Sequence, residues 1–346
     1  MVSELHVSKK RRSILIYCTF ADNHFIFTFA IMKRMVLVLL LCAAGMGVRA
    51  QERDSLLVMF WNVENFFDWK DQGTGESDNE FSSFGDRHWT KSRFYAKCDA
   101  IAKSVMWIGD MHGRLPDIIG LAEVENRGVL SRLLSYTLLR KFDYGIIHHD
   151  SQDRRGIDVA ILYRKSVMDP VSVTVRTPEG ISTRDILHSR MRLRDSSQID
   201  FIVNHHPSKF GGEKESMQKR ALVMGQMKSL VDSLLDCGNG SVAVMGDFND
   251  TPDAVQFSAV TDILDNKGMA LHERGEGTIR YKGKWELIDF FLTGHAVKSS
   301  GMEVVRIPFL MTYEKRYPGE KPLRTYSGPR YLGGVSDHCP VVLWIY

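Results

Sequence analysis

Gly240-Ser-Val-Ala-Val-Met-Gly-Asp-Phe-Asn-Asp-Thr-Pro252 sets a Val-rich apolar run between two polar turns. Cys237-Gly-Asn-Gly precedes the run and Asn249-Asp-Thr-Pro follows it. This pattern predicts a buried strand that exits into a turn. Asp247 and Asn249 lie two apart at that exit, and extended residues two apart share a face. Both side chains are therefore expected to look into one site at a sheet edge, where loops carry chemistry. Taken alone, the pair is better explained as a polar turn after a core strand. The remaining strands change that balance.

Upstream, Leu56 to Val63 reads as an apolar strand ending in Asn62 and Glu64, and Pro116 to Glu123 as a second, ending in an acid. Strands are also expected over Tyr144 to His149 and Ile157 to Tyr163, and a hairpin over Ile186 to Leu193 and Gln198 to His206. Downstream, Leu287 to Leu292, Met302 to Ile307 and Val341 to Tyr346 complete the strand set. Phe94, Cys98, Ile101, Val105 and Ile108 recur at helical spacing. Val129 to Lys141 carries a Leu stripe, and Glu213 to Leu235 is the longest helix, with Met217, Ala221, Met224, Leu230 and Leu234 expected in the core and Gly238 ending it. Gln72 to Arg87 reads as a mobile loop, and Thr312 to Gly334 as a long, basic, irregular segment. No repeat or linker divides the chain, so one domain is expected.

The first fifty residues read as foreign to that domain. Met32-Lys-Arg-Met is a basic start, Val36 to Ala44 a short apolar run, and Val48-Arg-Ala50 a signal-peptidase site. A true start at Met32, cleavage after Ala50 and a catalytic domain over 51–346 are expected. The protein would then be secreted or periplasmic, without a stable membrane anchor. Seven of the 45 basic and two of the 42 acidic residues lie in this leader, so the mature chain holds 38 basic and 40 acidic residues. A strong nucleic-acid binder is usually basic, so contact with a polyanion must be local. Cys98, Cys237 and Cys339 are an odd set without zinc spacing and read as small buried apolar residues.

Buried strands in this chain keep ending in proton-transferring or metal-ligating groups: Asn62 with Glu64, Glu123, His205, Asp247 with Asn249, Asp289, and Asp337 with His338. An unpaired buried carboxylate is costly, so these exits point to a shared cation or phosphate. Carboxylates and amides are hard donors suited to Mg²⁺, with Mn²⁺ or Ca²⁺ as alternatives. In His148-His149 and His205-His206, adjacent strand residues face opposite ways, so each pair offers one inward imidazole. A hard cation with imidazoles and an Asp suits water-mediated cleavage of a phosphate ester. No Gly-x-Ser-x-Gly elbow, Walker loop or dinucleotide fingerprint competes.

In order, Phe60-Trp-Asn-Val-Glu64, Ile119-Gly-Leu-Ala-Glu123, Val203-Asn-His-His-Pro-Ser208, Gly246-Asp-Phe-Asn249, Ile288-Asp-Phe-Phe-Leu292 and Ser336-Asp-His338 resemble the endonuclease/exonuclease/phosphatase superfamily. The resemblance spans essentially all of the mature chain. It implies an α/β (α+β) fold, a four-layer sandwich of two mixed β-sheets face to face with helices outside. It implies Asn62, Glu64, Glu123 and Asp337 at the metal, and His205, Asp247, Asn249, Asp289 and His338 in catalysis. His205 matches the position that stabilises the phosphorane or protonates the leaving group, and Asp289 the carboxylate that orients His338. Ser208, with Arg184 or Arg190, would contact the phosphate, although an arginine on a strand is as readily just solvated. Relatives usually carry Gln where this chain has Ala122.

The expected activity is hydrolysis of phosphodiester bonds by an exported, metal-dependent enzyme, first as a DNase I-like endonuclease on DNA or RNA. The alternative is a phosphatase or phosphodiesterase on a lipid headgroup, sugar phosphate or nucleotide. A non-catalytic binding protein ranks last, because every motif position holds a competent residue. Lys315, Arg316, Arg324 and Arg330 alternate with Tyr313, Tyr317, Tyr326 and Tyr331, a mix that suits flipped or single-stranded bases and at least equally a solvated loop packed by its own tyrosines. No protein partner is evident, and a monomer is expected.

Overall fold

The computed structural model describes residues 55–73, 75–209 and 212–346; the expected leader, its start and its cleavage point lie outside them. Strand β1 (Leu56–Phe66) is followed by helices α1 (Glu76–Glu80) and α2 (Lys91–His112), then β2 (Ile118–Val124) and α3 (Arg127–Tyr136). Next come β3 (Tyr144–His148), β4 (Asp158–Arg164), β5 (Met168–Arg176), β6 (Ile186–Leu193) and β7 (Gln198–His205). Helix α4 (Glu213–Asp236) crosses over to β8 (Val242–Asp247), with β9 (Leu264–Asn266) and α5 (Met269–Glu273) beyond it. The chain continues through β10 (Ile279–Tyr281), β11 (Lys284–Glu286), β12 (Asp289–Gly294) and β13 (Glu303–Val304). It closes with β14 (Met311–Glu314), β15 (Gly319–Pro322), β16 (Tyr326–Ser327), β17 (Arg330–Tyr331) and β18 (Val341–Ile345). Among the described residues no helix is long and apolar enough to cross a membrane.

Two six-stranded mixed sheets form the frame, in the orders β13-β18-β1-β2-β4-β3 and β5-β6-β7-β8-β12-β9. Period-two alternation explains their stacking. Leu56, Val58 and Phe60 on β1 join Ile118, Ala122 and Ile161 in a cluster shared with Phe201, Val203 and Met245 of the second sheet. Leu57, Met59 and Trp61 face the other way, onto Phe94, Cys98, Ile101 and Val105 of α2. Met224, Met227 and Val231 of α4 pack against the second sheet. The layers are helix, sheet, sheet, helix, as the resemblance implies.

Local chemistry ends the helices where the sequence indicates. Thr90 caps α2 by accepting from the Arg93 N–H, and Gly113 closes it at φ 73°. Gly238, at φ 81°, takes the chain out of α4.

Several expectations need correction. The segment 72–87 is no free loop: it holds α1, and the Asp78 carboxylate accepts from the Gln72 and Gly73 N–H groups. Thr312 to Gly334 folds into two short hairpins, β14–β15 and β16–β17. Tyr326 and Tyr331 pack edge-on to each other and at a tilt or edge-on to Trp89, so they serve the core. Strand β5 was not expected, because as an edge strand with exposed Val171 and Val173 it has no apolar face to read. Only Glu303–Val304 of the strand expected over 302–307 pairs. Met217 and Ala221 are exposed, because the first turns of α4 dock through a buried Arg220–Asp250 ion pair instead of an apolar stripe. Cys237 is exposed at the end of α4, whereas Cys98 and Cys339 are buried; all three are free.

At the end of β7, His205 and His206 part. His206 sets its ring edge-on to Phe248 at 5.1 Å, and both its nitrogens are buried without partners. Burial, helped by Arg184 and Arg220, holds its imidazole down at about 3. An unfolded histidine titrates near ~6.5. The stability tied to neutral His206 is therefore complete above pH ~6.5 and is lost as pH falls toward 3, at about 1.4 kcal/mol per pH unit. Between pH 6.5 and 4.5, chemical denaturation should show a steeper loss for the wild type than for His206→Asn; equal slopes would contradict the assignment.

Two glycines give opposite expectations. A Cβ on Gly246 would lie 2.5 Å from the Asn204 carbonyl oxygen, where β7 and β8 run side by side. Gly225, inside α4, has nothing within 4 Å of that position. Gly246→Ala should lower stability by about 1–3 kcal/mol, and Gly225→Ala should raise it by about 0.5–1 kcal/mol. Urea unfolding midpoints that move the same way in both variants would refute this packing.

Candidate active site

The strand ends that carry the expected site residues meet where the two sheets open. Alternation alone does not deliver them. Glu64, Asn65, Glu123 and Asn249 have φ of 47°, 49°, 62° and 52°. Non-glycine residues seldom occupy this left-handed region, and such strain concentrates at functional sites. At Glu123 the pairing of β2 with β4 shifts register. By parity Glu123 would follow Ile119 and Leu121 toward α2; the bulge turns it back into the cavity between the sheets.

That cavity, about 670 Å³, is lined by Glu64, Glu123, His205, Ser208, Asp247, Asn249, Asp337 and His338. Asp247 is its centre. Its carboxylate accepts from Asn62 Nδ2 at 3.0 Å and from the Asn249 N–H at 2.9 Å. The Nε2 atoms of His205 and His338 stand 3.5 and 3.9 Å from Asp247 Oδ2. Behind His338, Asp289 Oδ2 pairs with Nδ1 at 2.8 Å, and this bond sets the ring's orientation. Asn62 also donates to Glu123 at 3.4 Å, while its oxygen accepts from the Glu64 N–H. It therefore positions two carboxylates at once.

The two imidazoles differ in charge. Burial disfavours the imidazolium at both, but Asp289 and Asp247 outweigh it at His338, whose pKa is raised well above the usual range. His205 gains no such balance: burial, with Arg184 and Arg155 nearby, lowers it well below. Burial and the neighbouring Asp289 push Asp247 up to about 7. Burial also raises Glu123, but Arg155, the Asn65 N–H and His338 outweigh it and the net shift is downward.

A hard divalent ion fits these donors, since buried carboxylates held near 7 by desolvation and mutual repulsion are what such an ion relieves. Asp247, Asp289 and His338 each bring one donor atom within 4.8 Å of the others, and Glu123 lines the same cavity. Glu64 and Asp337, expected as ligands, are already engaged. Arg324 Nη2 lies 2.8 Å from Glu64 and 3.0 Å from Asp337, and the Thr325 N–H takes the second oxygen of Glu64. Lys97, buried beneath, donates to the Glu64 carbonyl and to Thr325. Burial and Asp337 nevertheless push Glu64 up to about 7.

The two expected phosphate-binding arginines lie elsewhere. Arg190 is ion-paired with Asp200 across the β6–β7 register, away from the cavity. Arg184 is buried and donates to Asp153 and to the His206 carbonyl, so it supports the floor. The cavity's arginine from that region is Arg155, which reaches Asn65 at 2.5 Å and Glu123 at 3.4 Å. The far wall consists of β10–β11 and β14–β15, held together by Arg280, which donates to the Tyr317 and Pro318 carbonyls. That wall presents Tyr281, Lys282, Arg316, Tyr317 and Lys321. Arg155, Arg280 and Lys282 carried no motif signal; only their position in the fold reveals them.

A model of the endonuclease/exonuclease/phosphatase family matches residues 57–346. No curated protein matches the chain in sequence. Solved structures do share its architecture. An endonuclease/exonuclease/phosphatase family protein from Bacteroides thetaiotaomicron superposes with a TM-score of 0.54 at 16% identity, covering 84% of this chain and 94% of that one. Truncated TDP2 from Caenorhabditis elegans gives 0.56 at 16% identity, over 84% and 98%. A mannosyl-6-phosphatase from B. thetaiotaomicron gives 0.53 at 17% identity, over 84% and 99%. With the family model spanning the whole sandwich, and a site built of carboxylates and paired imidazoles, the chain belongs to the endonuclease/exonuclease/phosphatase family and is a metal-dependent hydrolase of phosphate esters.

Proposed function

We propose that this enzyme is exported behind a cleaved leader and hydrolyses phosphodiester bonds in DNA or RNA, with Mg²⁺ as its ion. The observation that carries this reading is the wall of the cavity. Lys282, Arg316 and Lys321 stand beside Tyr281 and Tyr317, opposite the buried acids. Cations that follow a backbone, with rings on which bases stack, suit an unpaired strand or a strand end. They also confine positive charge to the site, as the mildly acidic remainder of the mature chain requires.

In this reading Asp247 and Asn249 hold the attacking water, and Asp247 takes its proton. The imidazolium of His338, kept charged by Asp289, faces the developing negative charge on phosphorus. His205 donates a hydrogen bond at the leaving oxygen. Glu123 would hold a divalent ion, which would supply Lewis-acid charge at the phosphoryl group. The alternative is a small phosphate ester such as a sugar phosphate, and one structural relative is a mannosyl-6-phosphatase.

Purified protein should cut plasmid and single-stranded oligonucleotides with Mg²⁺, and chelation should stop the reaction. Absence of any polynucleotide cleavage with Mg²⁺, Mn²⁺ or Ca²⁺, alongside release of phosphate from mannose 6-phosphate, would replace the first reading with the second. On whichever substrate is turned over, Glu123→Ala should abolish metal-dependent activity. His205→Ala should lose at least about 10²-fold, the usual contribution of a proton-handling group. Wild-type rates in either variant would remove that residue from its role.

A further inference from the structure

Glu64, Asp337 and Arg324 all line the catalytic cavity, and the arginine lies between the two acids. Its Nη2 is 2.8 Å from Glu64 Oε1 and 3.0 Å from Asp337 Oδ2, and its Nε reaches the same Glu64 oxygen at 3.0 Å. The second Glu64 oxygen accepts from the Thr325 N–H at 2.8 Å. One dipeptide, Arg324-Thr325, thus engages both acids.

That dipeptide is anchored on several sides. The buried Thr325 donates through Oγ1 to the Val335 carbonyl at 2.9 Å, and its own carbonyl accepts from the Leu332 N–H at 2.9 Å. Lys97, also buried, reaches from α2 to donate to Thr325 Oγ1 and to the Glu64 carbonyl. A guanidinium stays charged at any pH the folded protein meets. The Glu64–Asp337 pair is therefore compensated by cations that belong to the chain itself.

This arrangement leaves no space for an ion between the same acids. A divalent ion bridging them would sit about 2.0–2.6 Å from their oxygens, where Nη2 already stands. The other acids differ, since Asp247, Asp289 and His338 bring donor atoms within 4.8 Å of one another. Among the described residues, Glu64 and Asp337 join no such group of three.

We propose that Arg324 takes the place of a second divalent ion, so that the enzyme binds one ion in its cavity and Glu64 and Asp337 hold the guanidinium instead of a metal. Two-ion sites set their ions about 3.5–4 Å apart to clamp the attacking and leaving oxygens of a phosphate. Here one of the two charges is built into the chain, needs no loading and lines the cavity where phosphoryl charge develops. The inference rests on metal-dependent hydrolysis and not on which phosphate ester is cleaved.

Counting bound Mn²⁺ by electron paramagnetic resonance tests this without any substrate. Metal-free wild-type protein should saturate at one Mn²⁺ per chain. Arg324→Met removes the charge from a side chain of similar reach and should admit a second Mn²⁺ between the freed acids. Any count other than one in the wild type overturns the proposal whether or not the variant folds. A count that stays at one in folded Arg324→Met overturns it as well. Should Arg324→Met not fold, Arg324→Gln, which keeps a donor toward Glu64, is read in the same way. A count of one in the wild type and two in the variant, without polynucleotide cleavage by the wild type, would sink only the nucleic-acid reading.

Discussion

A hydrogen bond between the two sheets orders the site of this enzyme. Asn62 belongs to the first sheet and Asp247 to the second, and the 3.0 Å bond between them crosses the gap where the layers part. The same amide holds Glu123, so one neutral side chain orients two acids that would otherwise repel. Everything catalytic is arranged around that bridge. Asn62 reaches it by plain alternation, since it continues the inward face of Leu56, Val58 and Phe60.

The site depends on charge held in the wrong place for stability. Asp247 and Glu64 are nearly out of water, and burial favours their neutral forms. The chain offsets this with cations of its own. Arg155 serves Glu123, Arg324 bridges Glu64 and Asp337, and His338 stays protonated between Asp289 and Asp247. Left-handed backbone at Glu64, Glu123 and Asn249 is a further cost, borne by a rigid double sheet on either side. A neutral His205 next to a charged His338 follows from the same geometry, because only His338 has a dedicated carboxylate behind it.

The strands and the long helices were legible because each buries a regular face. Strand β1 shows as a continuous apolar run, buried on both faces, and helix α2 shows by its 3.6-residue spacing and its cap residues. Legibility ended where burial is not apolar. The start of α4 docks through Arg220 and Asp250, so its apolar pattern misled there. Edge strand β5 has no core face, and the hairpins over 311–331 are held partly by Arg280 reaching carbonyls, which leaves no mark in the sequence.

By itself the sequence determined the strands, the order of the motifs and the types of group at the strand exits, because apolar runs and helical spacing are local properties of neighbouring residues; the sandwich came with the family resemblance that those motifs carry. It singled out Glu123, His205, Asp247, Asn249, Asp289 and His338 for the same reason, since each follows an apolar run. Only the tertiary structure decided which arginine faces the substrate. Arg190 pairs with Asp200 and Arg184 sits under the floor, while Arg155, far from any motif, enters the cavity. It alone showed Arg324 between Glu64 and Asp337. An ion pair between residues 260 positions apart is set by where two sheets and a hairpin bring the chain, and no spacing along the chain encodes that distance.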